Sequence, residues 1–340
     1  MSRIMFICFF IFHIPSYSQS LIENEIVVDG LTVYSFKEAE KHIVDGSTVY
    51  LGPGIYTNGL EIKHNNVVLS GGKETHFVNA AIEGKAAIIT SGDNITIENI
   101  ECSEIRVSSN NGSCIRHEGE NLTVVGVYFH DSQQGILEAS NDGRLVIQHS
   151  RFERLGFKGR AHGIYTNGAE LLVEDSTFSS TVSQGHSIKS RSKKNTIRNT
   201  LISSGNGDDS RLIDIPNGGV LIIENSILHQ SKTTKNRQVI GFGLEKLETG
   251  RQNSVTVEDS LIIMEREKGN EFIGLPKNDN KNVPLDMNVK NNVLVGKHID
   301  SKSWTSRNSY FESRFNAGLK EDVLPSVSAL PKLMDLLSIK

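Results

Sequence analysis

Two apolar residues flanking one polar residue, followed two positions later by asparagine or aspartate, form a unit that recurs along most of this chain. ITIENIEC, LVIQHSRF, LLVEDSTF, NTIRNTLI, LIIENSIL, VTVEDSLI and MNVKNNVL are copies of it, the second with histidine at the asparagine position. Anchoring each copy on its second apolar residue gives Leu69, Ile97, Val124, Ile147, Val173, Ile197, Ile223, Val257 and Val289. Their spacings are 28, 27, 23, 26, 24, 26, 34 and 32 residues, the period of a solenoid coil with loops inserted late in the chain.

Each part of the unit has a physical reason. Alternation of β-branched residues fits a short strand buried on one side. Asn99, Asp175, Asn199, Asn225, Asp259 and Asn291 stand two residues after the anchor. Asparagine and aspartate tolerate positive φ, so one such residue can turn a strand into the next. Three residues further stand Cys102, Phe129, Phe152, Phe178, Ile202, Leu228, Ile262 and Leu294, which predict an internal ladder. Strands stacked in parallel would space its steps by about 4.8 Å.

The ends read differently. Arg3, the apolar run Ile4 to Ile14 and the small residues near Ser18 predict a signal peptide over residues 1–18. The run is shorter than the roughly 20 residues that span a bilayer, so no membrane insertion is expected after cleavage. An exported protein, periplasmic or extracellular, follows. Residues 19–56 predict an entry strand and a short capping helix. There Ser35 and Glu38 form a capping box, with Phe36, Ala39 and Ile43 on one face. The coils occupy 57–300. Residues 301–340 predict an imperfect last coil and an amphipathic helix that closes the far end of the stack.

Composition changes this picture little. A formal charge of -4 leaves no electrostatic footprint for nucleic acid. Cys102 and Cys114 would be the only cysteines of the mature chain, either paired after export or buried as thiols. Asn94, Asn111 and Asn121 match the glycosylation sequon, a match that a chain so rich in Asn, Ser and Thr produces by chance.

Short strands, polar bends and asparagine ladders resemble the right-handed parallel β-helix of the pectate-lyase-like superfamily, over roughly Gly30 to Gly296. The fold class expected is therefore all-β, a single-stranded right-handed parallel β-helix. A leucine-rich repeat would need regularly spaced leucines, often with a helix, and neither recurs.

Candidate chemistry concentrates between Arg160 and Gly219. Strands ahead of the anchors, AHGIYTN, GHSIKSR and RLIDIPN, turn Ile164, Ile188, Ile213 and Ile215 inward by alternation. Tyr165, Lys189 and Asp214 then face outward on successive rungs, provided that Pro216 absorbs one extra residue at its bend. Arg160, His162, His186, Arg191 and Asn217 lie close by in sequence, and cations crowded onto adjoining rungs repel one another. Enzymes that the fold resembles act on uronate polysaccharides, with Lys, Arg or Tyr as the base and Arg, Lys or calcium neutralising the carboxylate. The resemblance implies Lys189 or Tyr165 for proton abstraction, Arg191 or Arg160 for the carboxylate, and His186 or Tyr165 as proton donor. His162, Asp214 and Asn217 would bind substrate. The partner expected is an acidic polysaccharide, and the reaction β-elimination or epimerisation.

Two other readings accompany this one. A polygalacturonase-like hydrolase would use carboxyls drawn from Asp208, Asp209, Asp214 and Glu138. Gly185-His186 and Asp208-Asp209 resemble parts of its motifs, but in the wrong order, and its Asn-Thr-Asp motif is missing. A surface or matrix protein would use the same sheet only to bind glycan. No cofactor is required by the sequence. Calcium at Asp208, Asp209 and Asp214 is the one metal alternative, although their spacing matches no calcium loop.

Overall fold

A computed structural model describes residues 21–140, 142–168, 170–276, 283–297 and 307–337. The proposed signal peptide lies outside the described residues. The rest is a parallel β-helix of three sheets, visited in turn by each coil. Sheet A holds the anchor strands, sheet B the aromatic ladder and sheet C the strands that carry the candidate chemistry.

The anchors meet rung by rung without a slip. Leu69 pairs Ile97, Val124 pairs Ile147, Ile197 pairs Ile223 and Val257 pairs Val289. One residue after each sheet A strand from Ile95–Glu98 onward the backbone enters the left-handed region, at Asn99, Asp175, Asn199, Asn225, Asp259 and Asn291. The two rungs without Asn or Asp use Gly126 and His149 there. Asn225 Nδ2 donates to Asn199 Oδ1 at 2.7 Å, so the bend residues also bind one another along the stack.

The next position carries a second ladder. Ser150, Ser176, Thr200, Ser226 and Ser260 each donate a hydroxyl to the carbonyl two residues back, at 2.7–2.8 Å. From Ser150 to Ser226, each backbone N–H donates to the hydroxyl of the next coil, at 3.1–3.4 Å. Backbone donors at the bend are thus satisfied without water.

Inside, Tyr56, Phe77, Cys102, Phe129, Phe152, Phe178, Ile202, Leu228, Ile262 and Leu294 stand in register on sheet B. Phe152 and Phe178 stack with centroids 4.6 Å apart, while Phe129 meets Phe152 edge-on at 5.6 Å. Cys102 is bonded to Cys114, which closes the corner between sheets B and C. Asn94 and Asn121, two of the sequon asparagines, belong to another bend ladder. Asn121 Nδ2 donates to Asn94 Oδ1 at 2.9 Å, and Asn94 to Asn66 at 3.1 Å.

Both ends depart from expectation. The N-terminal helix is one turn only, Phe36–Ala39, with the Ser35 hydroxyl accepting from Glu38 N. Its Phe36 still covers the core, stacked 5.6 Å from Phe77. The longer helix, Leu330–Leu337, is C-terminal. It was expected to close the stack. Instead its Leu330 and Met334 join Ile227, Leu261 and Val293, which are outward residues of sheet B. That flank is apolar on three successive rungs, and the helix removes it from water. Of the final coil, Ser309–Phe311 forms a rung of sheet B.

Two substitutions test this arrangement by urea denaturation. Phe152→Ala should remove about 3–5 kcal/mol, the usual consequence of a cavity in a packed core. Asn225→Val should cost about 1–2 kcal/mol, because a β-branched residue resists the left-handed conformation. Unchanged midpoints in both would refute the register.

Candidate functional site

Sheet C brings the predicted residues together. Tyr165 pairs Lys189, and Lys189 pairs Asp214, so the three stand on successive rungs facing away from the core. The extra residue before the next sheet A strand is taken up in the bend after Ile215, where Gly218 and Gly219 both have positive φ. The following rung carries Gly241 opposite Asp214. A Cβ there would lie 2.6 Å from Asp214 Oδ1, so a side chain at this position would push the carboxylate out of its place.

Around Asp214 the site is nearly dry. Asp214 is 3 % exposed, with Arg211 Nη1 at 3.4 Å and both Lys189 Nζ and His186 Nε2 at 3.6 Å. Burial raises its carboxyl above the usual aspartate range, against the opposing pull of Arg211 and Lys189. His186 is 5 % exposed, and burial, helped by Arg211 and Lys189, lowers its pKa to about 3. Its Nδ1 is buried without a hydrogen-bond partner among the described residues.

The outer half of the site is organised by a residue that the sequence pattern did not reveal. Glu245 lies on the insertion that lengthens one coil to 34 residues. Its carboxylate bridges Arg191 Nη2 at 2.7 Å and Lys189 Nζ at 3.0 Å. Desolvation pushes the Glu245 carboxyl up, yet hydrogen bonds from Arg191 and Lys189 prevail and its pKa is lowered. Arg191 also donates from Nε to Tyr165 OH at 2.9 Å and from Nη1 to Asn217 Oδ1. Asn217 in turn donates to Glu248 at 3.1 Å, and Glu248 pairs with Arg251. The like-charge crowding expected around Lys189 is therefore relieved by Glu245 and Asp214. No signal short of the folded insertion would have shown this, because Glu245 and Glu248 lie in ordinary loop sequence.

Other predicted residues are placed differently. His162 is 2 % exposed and accepts the His186 backbone N–H at its Nδ1, 3.1 Å away. It braces the strand entry beneath the surface instead of facing a ligand, because its ring is stacked on His186 at 5.0 Å. Arg160 is exposed in the turn before Ile164 and takes no part in the network. His186 as a proton donor is also revised: a ring with a pKa near 3 is neutral at neutral pH.

The paired aspartates are split. Asp209 is buried, accepts from Thr234 and Ser204 at 2.9 and 3.1 Å, and is raised to about 6 by burial. Asp208 accepts the Ser183 backbone N–H at 2.5 Å. Glu138 is buried and accepts the Asn167 N–H at 3.1 Å. Asp208, Asp209 and Asp214 therefore serve three separate sets of partners and do not converge as calcium ligands. Among the described residues, the one convergent group of metal-ligating side chains lies elsewhere, on sheet B.

Acid stability reports on the buried imidazoles. A histidine whose pKa falls from 6.5 unfolded to about 3 folded supports the fold fully above 6.5 and progressively less as pH drops. Between these values the unfolded chain binds one more proton at this site than the native chain. His186→Gln should reduce proton uptake on unfolding at pH 5 by about one per molecule, measured from the pH dependence of the urea midpoint. An unaltered slope would place His186 in solvent. No protein-family model matches the chain and no curated protein matches it, so its chemistry is read from this geometry alone.

Proposed function

We propose that this is an exported, right-handed β-helix protein that binds an acidic, uronate-containing polysaccharide on sheet C and cleaves or epimerises it there. The observation that carries the reading is the Glu245 carboxylate held between Arg191 at 2.7 Å and Lys189 at 3.0 Å. Two cations are already spaced to share one carboxylate, and Glu245 stands where that of a uronate would lie. Its side chain is 49 % exposed on a loop, so it can be exchanged for a ligand more readily than a buried partner. Export is supported by the N-terminal apolar run and by the Cys102–Cys114 bond.

In this reading Arg191 takes the uronate carboxylate in place of Glu245, which acidifies the adjacent C–H. Lys189, acting as the neutral amine once Glu245 has been displaced, removes that proton to become an ammonium, and the C–H electron pair becomes a C=C bond as the glycosidic C–O bond breaks. Tyr165, whose oxygen is 2.9 Å from Arg191 Nε, supplies the proton that the leaving oxygen takes up. Return of the proton to the opposite face, without C–O cleavage, would be epimerisation.

One observation favours hydrolysis as a second reading. Asp214 and Glu245 both contact Lys189, and their surroundings shift them in opposite directions, Asp214 up and Glu245 down. Such a pair fits an acid and an ionised partner.

Incubation with polygalacturonate, alginate and glucuronan separates these outcomes. Ultraviolet-absorbing unsaturated ends mark elimination, and reducing ends without that absorbance mark hydrolysis. Binding without either leaves a glycan-binding surface protein. Lys189→Met should abolish turnover and retain most binding, whereas Arg191→Lys should weaken binding about tenfold by losing a paired contact. Glu245→Ala should tighten binding several-fold. Weaker binding in Glu245→Ala would show that the loop carboxylate is part of the site and not a stand-in for the ligand.

A further inference from the structure

The convergent group on sheet B is built from three adjacent coils. His76 and Glu101 are rung partners, and His130 pairs Ser103 two residues beyond Glu101. His130 Nε2 lies 3.0 Å and His76 Nδ1 3.7 Å from the same oxygen, Glu101 Oε1. Donor atoms around a tetrahedral zinc ion, with bonds of about 2.0–2.2 Å, sit roughly 3.3 Å apart. The two distances to Glu101 bracket that value, and all three donor atoms lie within 4.8 Å of one another.

Their orientation is fixed from behind. His130 Nδ1 is 2.7 Å from Asp131 Oδ2, and Arg154 grips that aspartate through Nε at 2.8 Å and Nη2 at 2.7 Å. His76 Nε2 is 2.8 Å from Ser103 Oγ, and Tyr128 stacks on His130 at 4.3 Å. Each imidazole thus uses one nitrogen on a supporting partner and turns the other to a shared point, the arrangement by which outer groups orient metal-bound histidines. An imidazole that donates from Nδ1 to Asp131 presents an Nε2 lone pair to the Glu101 carboxylate. Two electron-rich atoms 3.0 Å apart call for a cation between them. A single proton could bridge that pair, but it would leave His76 Nδ1 unserved on the other side of the same oxygen.

We propose that His76, Glu101 and His130 bind one divalent cation of the zinc class, with a fourth coordination position open to solvent. Two imidazole nitrogens and one carboxylate suit zinc and disfavour calcium, which takes oxygen ligands throughout. The three side chains are 23 %, 36 % and 14 % exposed, so the cation can enter. His76 and Glu101 line a groove of about 570 Å³ that Gly54, Ile55 and Glu74 also border, which gives a ligand a route to the open position. Three protein ligands with an open position are what exchangeable or reactive zinc sites have, in contrast to the closed four-ligand structural kind. This site shares no residue with the sheet C network.

The test uses the full mature protein, stripped with a chelator and titrated with zinc chloride alone. One zinc should be retained per chain after gel filtration, and calcium chloride should not displace it. Cobalt chloride should give visible d–d bands. His130→Gln and His76→Gln should each weaken zinc binding at least about tenfold and abolish the cobalt bands, and Asp131→Asn should weaken it about 10–100-fold. Circular dichroism of the metal-free variants checks that they fold. Should Asp131→Asn fail to fold, the two histidine variants decide, since neither ring is part of the core. Absence of zinc binding, or zinc binding that survives both histidine variants, would overturn the proposal.

Discussion

From the strand Ile95–Glu98 onward, each coil of this protein depends on one residue held in the left-handed conformation between sheets A and B. If that residue fails, the strand that follows leaves the direction in which its ladder runs. Asparagine and aspartate meet the demand on most coils, and Gly126 and His149 on two. The same bend returns a hydroxyl or amide to the neighbouring coil, so geometry and hydrogen bonding are satisfied by two consecutive residues. Stability then accrues between neighbours and not within a coil, as in any stacked repeat.

Against this regular frame, the sheet C network is irregular in composition and made from two sources. Strand positions supply Tyr165, Lys189 and Asp214 at fixed intervals, while a late insertion supplies Glu245 and Glu248. Rungs set the spacing of the cations, and the loop sets how much of their charge solvent meets. The sheet B group follows the opposite plan. All of its donors come from the ladder itself, and the bend residue Asp131 holds one of them in place.

Much of the fold was legible because period and chemistry agree. The anchors, the bend asparagines and the Phe129–Phe152–Phe178 ladder fall where the alternation puts them. The serine ladder at Ser150, Ser176 and Ser226 was in plain view after each bend residue, but its purpose is a bond to a different coil, which local pattern does not express. For the site, rung adjacency of Tyr165, Lys189 and Asp214 could be counted out along the chain. Burial could not. His162 and His186 share a residue type with surface ligands, and their depth depends on how the strand entries pack. The partnership of His76 with His130 escaped for a related reason: their 54-residue separation spans two coils of unequal length.

The antiparallel entry of the chain has a consequence for self-association. Ile26–Val28 runs antiparallel to Thr48–Leu51, and Leu31–Val33 folds back antiparallel to it in turn. Sheet A therefore begins with a hairpin of two three-residue strands, and Phe36 fills the mouth of the core behind it. Stacked parallel rungs are the geometry by which identical chains template one another into fibres. A second copy approaching this end would meet only the short edge strand Leu31–Val33, with Phe36 behind it, and would find no continuous floor for its own ladder. The short hairpin and its aromatic plug give an open-ended stacking rule a closed first end.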